Sequence, residues 1–529
     1  MGGTGEEIAR SASKVSLAVL ASRILGLVRE QVLAGFFGAG TAMDAYVVAY
    51  RIPNLLRDLF AEGALSSAFV SVFSAYDQKY GAQRTYRLAD SVLGALSLLL
   101  FFIISLGIIF APHLVRLMAP DFSSVPGKVN LTVSLTRIMF PFLWLVSLSA
   151  VFMGILNTKG VFFLPSLSSA FFNAGSIASG VALAVFLGHL GYPPILGMAI
   201  GILLGGVLQA GVQLWPLSRL GYLPRPRLDL HEPGLREVFR LMIPAVVGLS
   251  ATQINIFINT YFAASCGEGA VAWLNYAFRL MYLPIGLFGV AISMATLPVA
   301  SRLAAKRSFV ELGQTTSQAI SFMISLCLPA AVGLIFLSRP IVQVIFEHGR
   351  FLRHDTLMTA TALSFYALGL LGYSGVKVVV PIFYALGRTR WPVAASFLAV
   401  GLNVIFILAT IEALSFRAVA LSTALVMSIN FLLLSWVLYR LIGGFPLREI
   451  FFSALRVCLA SAGLALVCLL GRELVAGSLF WETVALILVI LVATLTYFLL
   501  LWLLKAPEIQ LLRSLWRRFL QSSWRRTDK

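Results

Sequence analysis

The stretch Val92-Leu-Gly-Ala-Leu-Ser-Leu-Leu-Leu-Phe-Phe-Ile-Ile-Ser-Leu-Gly-Ile-Ile-Phe-Ala111 carries no charged side chain. As a helix, a run of about twenty apolar residues crosses about 30 Å of hydrocarbon. A transmembrane β-strand would need only about ten residues of alternating character. The unbroken run therefore reads as a membrane-spanning helix. The same pattern recurs along the chain and predicts fourteen spans: 15–37, 45–75, 89–111, 132–156, 162–187, 193–217, 239–263, 270–300, 314–337, 357–386, 392–411, 417–439, 452–471 and 483–504. The fold class is an all-α polytopic membrane protein.

Composition agrees. The chain has 529 residues, 59% hydrophobic and 12% charged, with mean hydropathy +0.92. Soluble domains carry about 25% charged residues, so a soluble enzyme, a disordered chain and a secreted disulfide scaffold are excluded. The net charge of +18 would suggest nucleic acid on a soluble protein. Here it follows topology. Of the 40 Lys and Arg, 24 fall in the terminal segments and in the loops near 77–87, 159, 219–236, 302–307, 388–390 and 440–448. Only seven fall on the opposite side: Arg116, Lys128, Arg339, Arg350, Arg353, Arg417 and Arg472. The positive-inside rule then puts both termini in the cytoplasm, which requires an even number of spans. No nucleic-acid partner is expected. The first apolar run, interrupted by Arg23, shows no small-residue cleavage site and is not read as a signal peptide.

The spans divide into six, six and two. The basic, proline-containing loop 220–237 separates a lobe at 1–225 from a second at 226–445. Two further helices follow at 446–504, then a basic tail at 505–529. In that tail Leu512, Trp516 and Phe519 recur at helical spacing among arginines, as in an interfacial amphipathic helix. The second span of each lobe is long, carries Arg early (Arg51, Arg279) and leads into small residues. This suggests parallel repeats offset by about 227 residues.

An ionisable group at the centre of a span costs at least about 2.5–3.5 kcal/mol and faces a partner or a water-filled cavity. Arg23, Arg29 and Glu30 lie in the first span. Arg51, Arg57, Asp58 and Glu62 lie in the second, with Asp44 at its mouth. Arg279 lies in the eighth and Lys377 in the tenth. At 100° per residue, Arg51, Asp58 and Glu62 share a face. Ion pairs within the first lobe are expected: Arg57 or Arg51 with Asp58 or Glu62, and Arg29 with Glu30 or Asp44. Six cations face four anions. Arg23, Arg57 and Arg279, from three spans, lack enough acids to neutralise them, so a solvated cationic cavity follows. Guanidinium matches phosphate in a bidentate fork, which makes the substrate an anion such as a phosphate or pyrophosphate. Asn54, Asn173, Asn255, Asn259 and Asn403 read as interhelical hydrogen-bond partners. Scattered His and Cys residues give no metal motif. No nucleotide-binding or catalytic motif occurs, so the chain reads as a transporter rather than an enzyme. It uses no cofactor and draws on the membrane potential or an ion gradient.

Specific stretches resemble the MurJ (MviN) family, lipid II flippases of the multidrug/oligosaccharidyl-lipid/polysaccharide exporter superfamily. They are Ser22-Arg-Ile-Leu-Gly-Leu-Val-Arg-Glu30, Phe37-Gly-Ala-Gly, Asp44-Ala-Tyr, Ile52-Pro-Asn-Leu-Leu-Arg-Asp-Leu-Phe-Ala-Glu-Gly63, Ile155-Leu-Asn-Thr158, Tyr276-Ala-Phe-Arg-Leu280 with Pro284, Gly289-Val-Ala, Phe346-Glu-His-Gly-Arg-Phe351 and Val376-Lys-Val378. The resemblance covers nearly the whole chain. It implies two six-helix lobes, two extra helices forming a lipid-tail groove, and a cationic cavity that alternates in access. It implies that Arg23, Arg29, Arg57, Arg279, Asp44 and Glu62 contact substrate; Arg51, Asp58 and Lys377 join that list from their positions. The implied substrate is lipid II, the undecaprenyl-pyrophosphate-linked peptidoglycan precursor, in the bacterial inner membrane. Membrane lipids and the cell-wall synthesis machinery are the further partners. One departure stands out: family members often carry an acid immediately before the eighth-span arginine, and this chain has Phe278. No sodium site is assigned, and the coupling ion is left open. The competing readings are a polysaccharide-precursor flippase, a drug exporter, which should show an acidic cavity, and a non-transporting scaffold, which needs no buried cations.

Overall fold

A computed structural model of the chain describes residues 3–474 and 479–507; the side chains of residues 3–14, 16, 60–62, 474 and 479 lie outside the description. Among the described residues there are helices and no strands. A bilayer offers backbone groups no water, so each span must satisfy its own hydrogen bonds.

Two compact units form. One takes the residues up to Ala272 together with His348–Phe351; the other takes Trp273–Glu347 and the residues from Leu352 onward. The first holds α1 (Gly3–Phe37), α2 (Thr41–Arg57), α3 (Ala64–Tyr80), α4 (Ala82–Ile109), α5 (Ala111–Met118), α6 (Lys128–Met139), α7 (Phe142–Thr158), α8 (Phe163–His189), α9 (Ile195–Arg219) and α10 (Pro233–Ala264). The chain enters the second unit within α11 (Ala270–Pro284). It continues through α12 (Val290–Ala305), α13 (Phe309–Phe336), α14 (Ser338–Phe346), α15 (Arg353–Ala367), α16 (Leu370–Ala385), α17 (Arg390–Leu414), α18 (Phe416–Leu441), α19 (Leu447–Gly471) and α20 (Leu479–Leu503).

Among the described residues, eleven helices are long and apolar enough to cross a membrane. The pair α15 and α16, bent by 45°, makes a twelfth if counted as one span. The two remaining expected spans, 15–37 and 45–75, hold three and four ionisable residues and do not meet that criterion. Other boundaries fall within about seven residues of those read from hydropathy, the helices running past the apolar stretch mostly at the ends next to the Lys- and Arg-rich loops. The run that begins at Val92 ends where α4 stops at Ile109, and the outer loop after it folds into the unexpected short helix α5.

Helix boundaries repeat along the chain. Helix α4 and α13 are 227 residues apart at both ends, and α5 and α14 differ by 227 and 228. The break between α6 and α7 recurs as the break between α15 and α16. Most telling are two π-helical turns, Asp58–Gly63 between α2 and α3 and Ile285–Gly289 between α11 and α12. π turns are rare and gather at functional sites. Their i→i+5 bonding widens the turn.

Lipid chains are as apolar as leucine, so helices here associate by close packing. Gly197, Gly201 and Gly205 on α9 face α8. A Cβ on Gly201 would lie 2.6 Å from Gly180 Cα, and one on Gly197 would lie 2.2 Å from Ala184 N. In the first unit, Phe69, Phe73, Leu93, Leu96, Leu143 and Ile155 form a buried cluster across α3, α4 and α7. The loop after α9 is strapped to α4 through Asp90. Its carboxylate accepts hydrogen bonds from the Tyr222 hydroxyl at 2.7 Å and from Arg225 N at 2.9 Å. Burial and this carboxylate push the Tyr222 phenol well above its ordinary range.

Candidate functional site

The in-span charges of the first unit sit mainly on α1 and α2. Arg23 on α1 is partly exposed, and among the described residues it makes no hydrogen bond or ion pair. Arg29, two turns on, is 6% exposed. It reaches Glu30 at 3.4 Å, and its guanidinium carbon lies 5.5 Å from the Phe172 ring and 5.9 Å from the Tyr50 ring. Its Nε and one terminal nitrogen are buried without an acceptor. Aromatic faces attract a cation but do not replace hydrogen bonds, so Arg29 retains donors suited to an anion or water.

On α2, Arg51 donates to the Thr260 hydroxyl of α10. Arg57 brings Nε and Nη2 to one oxygen of Asp58, at 3.0 and 2.8 Å. The other Asp58 oxygen accepts from Gln253 on α10 at 3.4 Å. Both side chains of this ion pair are only partly buried. The expected Arg57–Asp58 and Arg29–Glu30 pairings are therefore present; the Glu62 side chain lies outside the described residues.

Asp44 is fully enclosed. It accepts from Lys128 Nζ at 2.8 Å, Gly269 N at 2.8 Å and Ala272 N at 3.0 Å. Lys128 is 2% exposed and lies 4.0 Å from the Phe122 ring. Asp44 thus closes the start of α11, while Glu268, before α11, closes the start of α2. It accepts from Thr41 N at 2.9 Å and from the Thr41 hydroxyl at 2.6 Å. Those two donors hold the Glu268 carboxyl below the usual carboxylate range. One acid on α2 and one just before α11 thus each satisfy orphan N–H groups at the start of the other's helix, favourable places for negative charge. Sequence reasoning placed Asp44 at the mouth of its span but counted Lys128 only as an outer-loop charge. Two other partners, Thr260 and Gln253, also gave no sequence signal, because they lie some two hundred residues away.

In the second unit Arg279 and Lys377 are exposed along α11 and α16. Phe278, in place of the acid, packs against Tyr282, Tyr366 and Tyr373. A separate apolar cavity of about 360 Å³ lies among α13, α19 and α20, lined by Leu326, Pro329, Leu464, Cys468, Ala493 and Phe498. Tyr497 of α20 donates to Ser325 O at 2.5 Å beside it. Of the in-span asparagines, Asn173 donates to Ser22 O on α1 at 3.2 Å, and Asn403 accepts from Ser422 on α18 at 2.7 Å.

An all-helical multi-span chain with arginines set into its spans has the character of a membrane transporter. The fold itself is shared: an inward-facing MATE family multidrug transporter of the MOP superfamily superposes with a TM-score of 0.65 at 18% identity, over 80% of this chain and 94% of that one. The sequence model described as lipid II flippase MurJ matches residues 33–490. The chain belongs to the lipid II flippase MurJ family. A lipid II flippase MurJ from Burkholderia cenocepacia is 36% identical over 388 residues, 73% of this chain and 74% of that protein. A probable lipid II flippase MurJ from Bdellovibrio bacteriovorus is 33% identical over 514 residues, 96% and 97% of the two chains. A solved lipid II flippase MurJ in an inward closed conformation gives a TM-score of 0.76 at 27% identity, covering 92% of this chain and 97% of that one.

Proposed function

We propose that this protein flips lipid II, the undecaprenyl-pyrophosphate-linked peptidoglycan precursor, from the inner to the outer leaflet of the bacterial inner membrane. It does so by alternating access, driven by the membrane potential or an ion gradient. It crosses the membrane fourteen times, the twelve apolar spans joined by 15–37 and 45–75, with both termini cytoplasmic. The lobes are 1–225 and 226–445. Helices α19 and α20 (within 446–504) hold the polyprenyl tail along the apolar cavity; of the basic tail at 505–529, residues 508–529 lie outside the described residues. Arg23, Arg29, Arg57 and Arg279 contact the pyrophosphate, with Arg51, Asp58, Glu62 and Lys377 around them. Asp44 acts as a clasp. Cell-wall synthesis enzymes receive the product.

The observation that carries this reading is Arg29. A guanidinium buried at 6% exposure with acceptor-less nitrogens is costly in a bundle, and an anionic substrate relieves that cost. The test is precursor translocation at matched protein levels in Arg29→Ala, Arg57→Ala, Asp58→Ala and the Arg57→Ala/Asp58→Ala double variant. The arginine variants and the double variant should fail to flip while inserting normally. Normal flipping by the double variant, with Arg57→Ala inactive, makes Arg57 a structural ion-pair member and removes it from the substrate site.

A further inference from the structure

We infer that the tyrosine cluster around Phe278 is the subsite for the sugar that adjoins the pyrophosphate of the substrate; this rests on the lipid-linked precursor proposed above. Phe278 of α11 has its ring centroid 5.5 Å from Tyr366 of α15, 6.0 Å from Tyr373 of α16 and 5.9 Å from Tyr282 of α11 itself. Tyr366 is 5% exposed, but Tyr282 is 41% exposed. The cluster is closed on one side and open on the other.

The open side faces water. Arg279 and Lys377 are both exposed and both lie well inside their helices, where a charge pointing into hydrocarbon is untenable. At 100° per residue, Tyr282 lies about 60° around α11 from Arg279, between it and Phe278. Tyr373 lies about 40° around α16 from Lys377. A cation on each helix thus flanks the aromatic cluster and fixes its open edge on the aqueous face.

The chemistry of the surface selects its occupant. A pyranose offers a C–H face that stacks on an aromatic ring and a rim of hydroxyls that exchange hydrogen bonds with phenols. A tyrosine presents both kinds of surface in one rigid side chain. Tight packing alone would be served by phenylalanine, whereas each tyrosine adds a hydroxyl that both donates and accepts. The spacing also fits. Arg279 and Tyr282 are three residues apart, about 4.5 Å along the axis, the reach of one phosphate-to-sugar ester. With Arg279 on the phosphate, Tyr282 meets the first sugar ring.

The test compares two ligands on the purified full chain in nanodiscs: lipid II, and undecaprenyl pyrophosphate, which lacks the sugars. The wild type should bind lipid II more tightly. Tyr282→Ala should weaken lipid II binding about tenfold and leave undecaprenyl pyrophosphate unchanged, with Tyr282→Phe in between. Arg279→Ala should weaken both ligands. Equal loss for both ligands in Tyr282→Ala, or loss for neither, overturns the sugar subsite and leaves the pyrophosphate reading standing. A wild type that binds neither ligand overturns the precursor reading and the subsite with it.

Discussion

Removing Asp44 alone should be more damaging than removing Asp44 and Lys128 together. The two groups are 0% and 2% exposed and 2.8 Å apart. Asp44→Ala leaves an ammonium in a closed site with the Phe122 ring at 4.0 Å. Breaking a buried pair in this way costs about 3–5 kcal/mol. It also removes the acceptor of Gly269 N and Ala272 N, and each lost hydrogen bond adds about 1 kcal/mol. Lys128→Met leaves a carboxylate that still accepts both N–H bonds, so its cost should be smaller, about 2–3 kcal/mol. In the double variant no buried charge remains and only the capping bonds are missing. The double variant should therefore be more stable than Asp44→Ala alone, with a coupling of about 2 kcal/mol or more. Thermal unfolding in detergent, followed by intrinsic fluorescence, gives the ranking directly. If the losses of the two single variants simply add in the double, the charges do not sense each other, and the clasp is no ion pair in solution.

Three further outcomes follow from other sites. The Glu268 carboxyl is held low by the Thr41 hydroxyl and N–H, so its contribution is complete above the ordinary carboxylate range and is lost as pH falls through the depressed folded value. Glu268 is exposed, so the effect is under about 1 kcal/mol, and Glu268→Gln should flatten the acid limb of a melting-temperature-against-pH curve. Ser415, the single residue between α17 and α18, sits at φ 51, ψ −136, a region that costs a non-glycine residue about 1–3 kcal/mol. Ser415→Gly should raise the melting temperature, and an unchanged or lower value refutes the strain. Tyr222→Phe removes the hydroxyl held by Asp90, worth about 1–2 kcal/mol, and should speed tryptic cleavage after Arg227.

Much of this was legible in the chain because a bilayer simplifies the code. Long apolar runs can only be helices, so α8, α9 and α17 were bounded within about three residues. The ion pairs between neighbours in sequence, Arg29–Glu30 and Arg57–Asp58, were also within reach. Hydropathy gave no sign of the π turns, which arise from backbone bonding rather than polarity. Nor did it give the short helices α5 and α14, hidden in what read as loops. The most thoroughly satisfied acid, Asp44, draws its partners from 84, 225 and 228 residues away. No periodicity encodes such distances, and the Phe278 cluster drew its rings from three helices in the same way.

The paired π turns also bear on how this chain came to be. A π turn is in effect an α-helix with one residue inserted. It is improbable that the same insertion arose twice at stations 227 residues apart. Duplication of a half-length unit that already carried the turn accounts for both. The two turns, Asp58-Leu-Phe-Ala-Glu-Gly63 and Ile285-Gly-Leu-Phe-Gly289, share a Leu-Phe pair and a closing glycine. A Cβ on Gly63 would lie 2.3 Å from Leu249 Cδ1, and one on Gly289 would lie 3.1 Å from Ser374. The lineage kept the backbone irregularity and its bare glycine, while the side chains around them became acidic in one copy and apolar in the other.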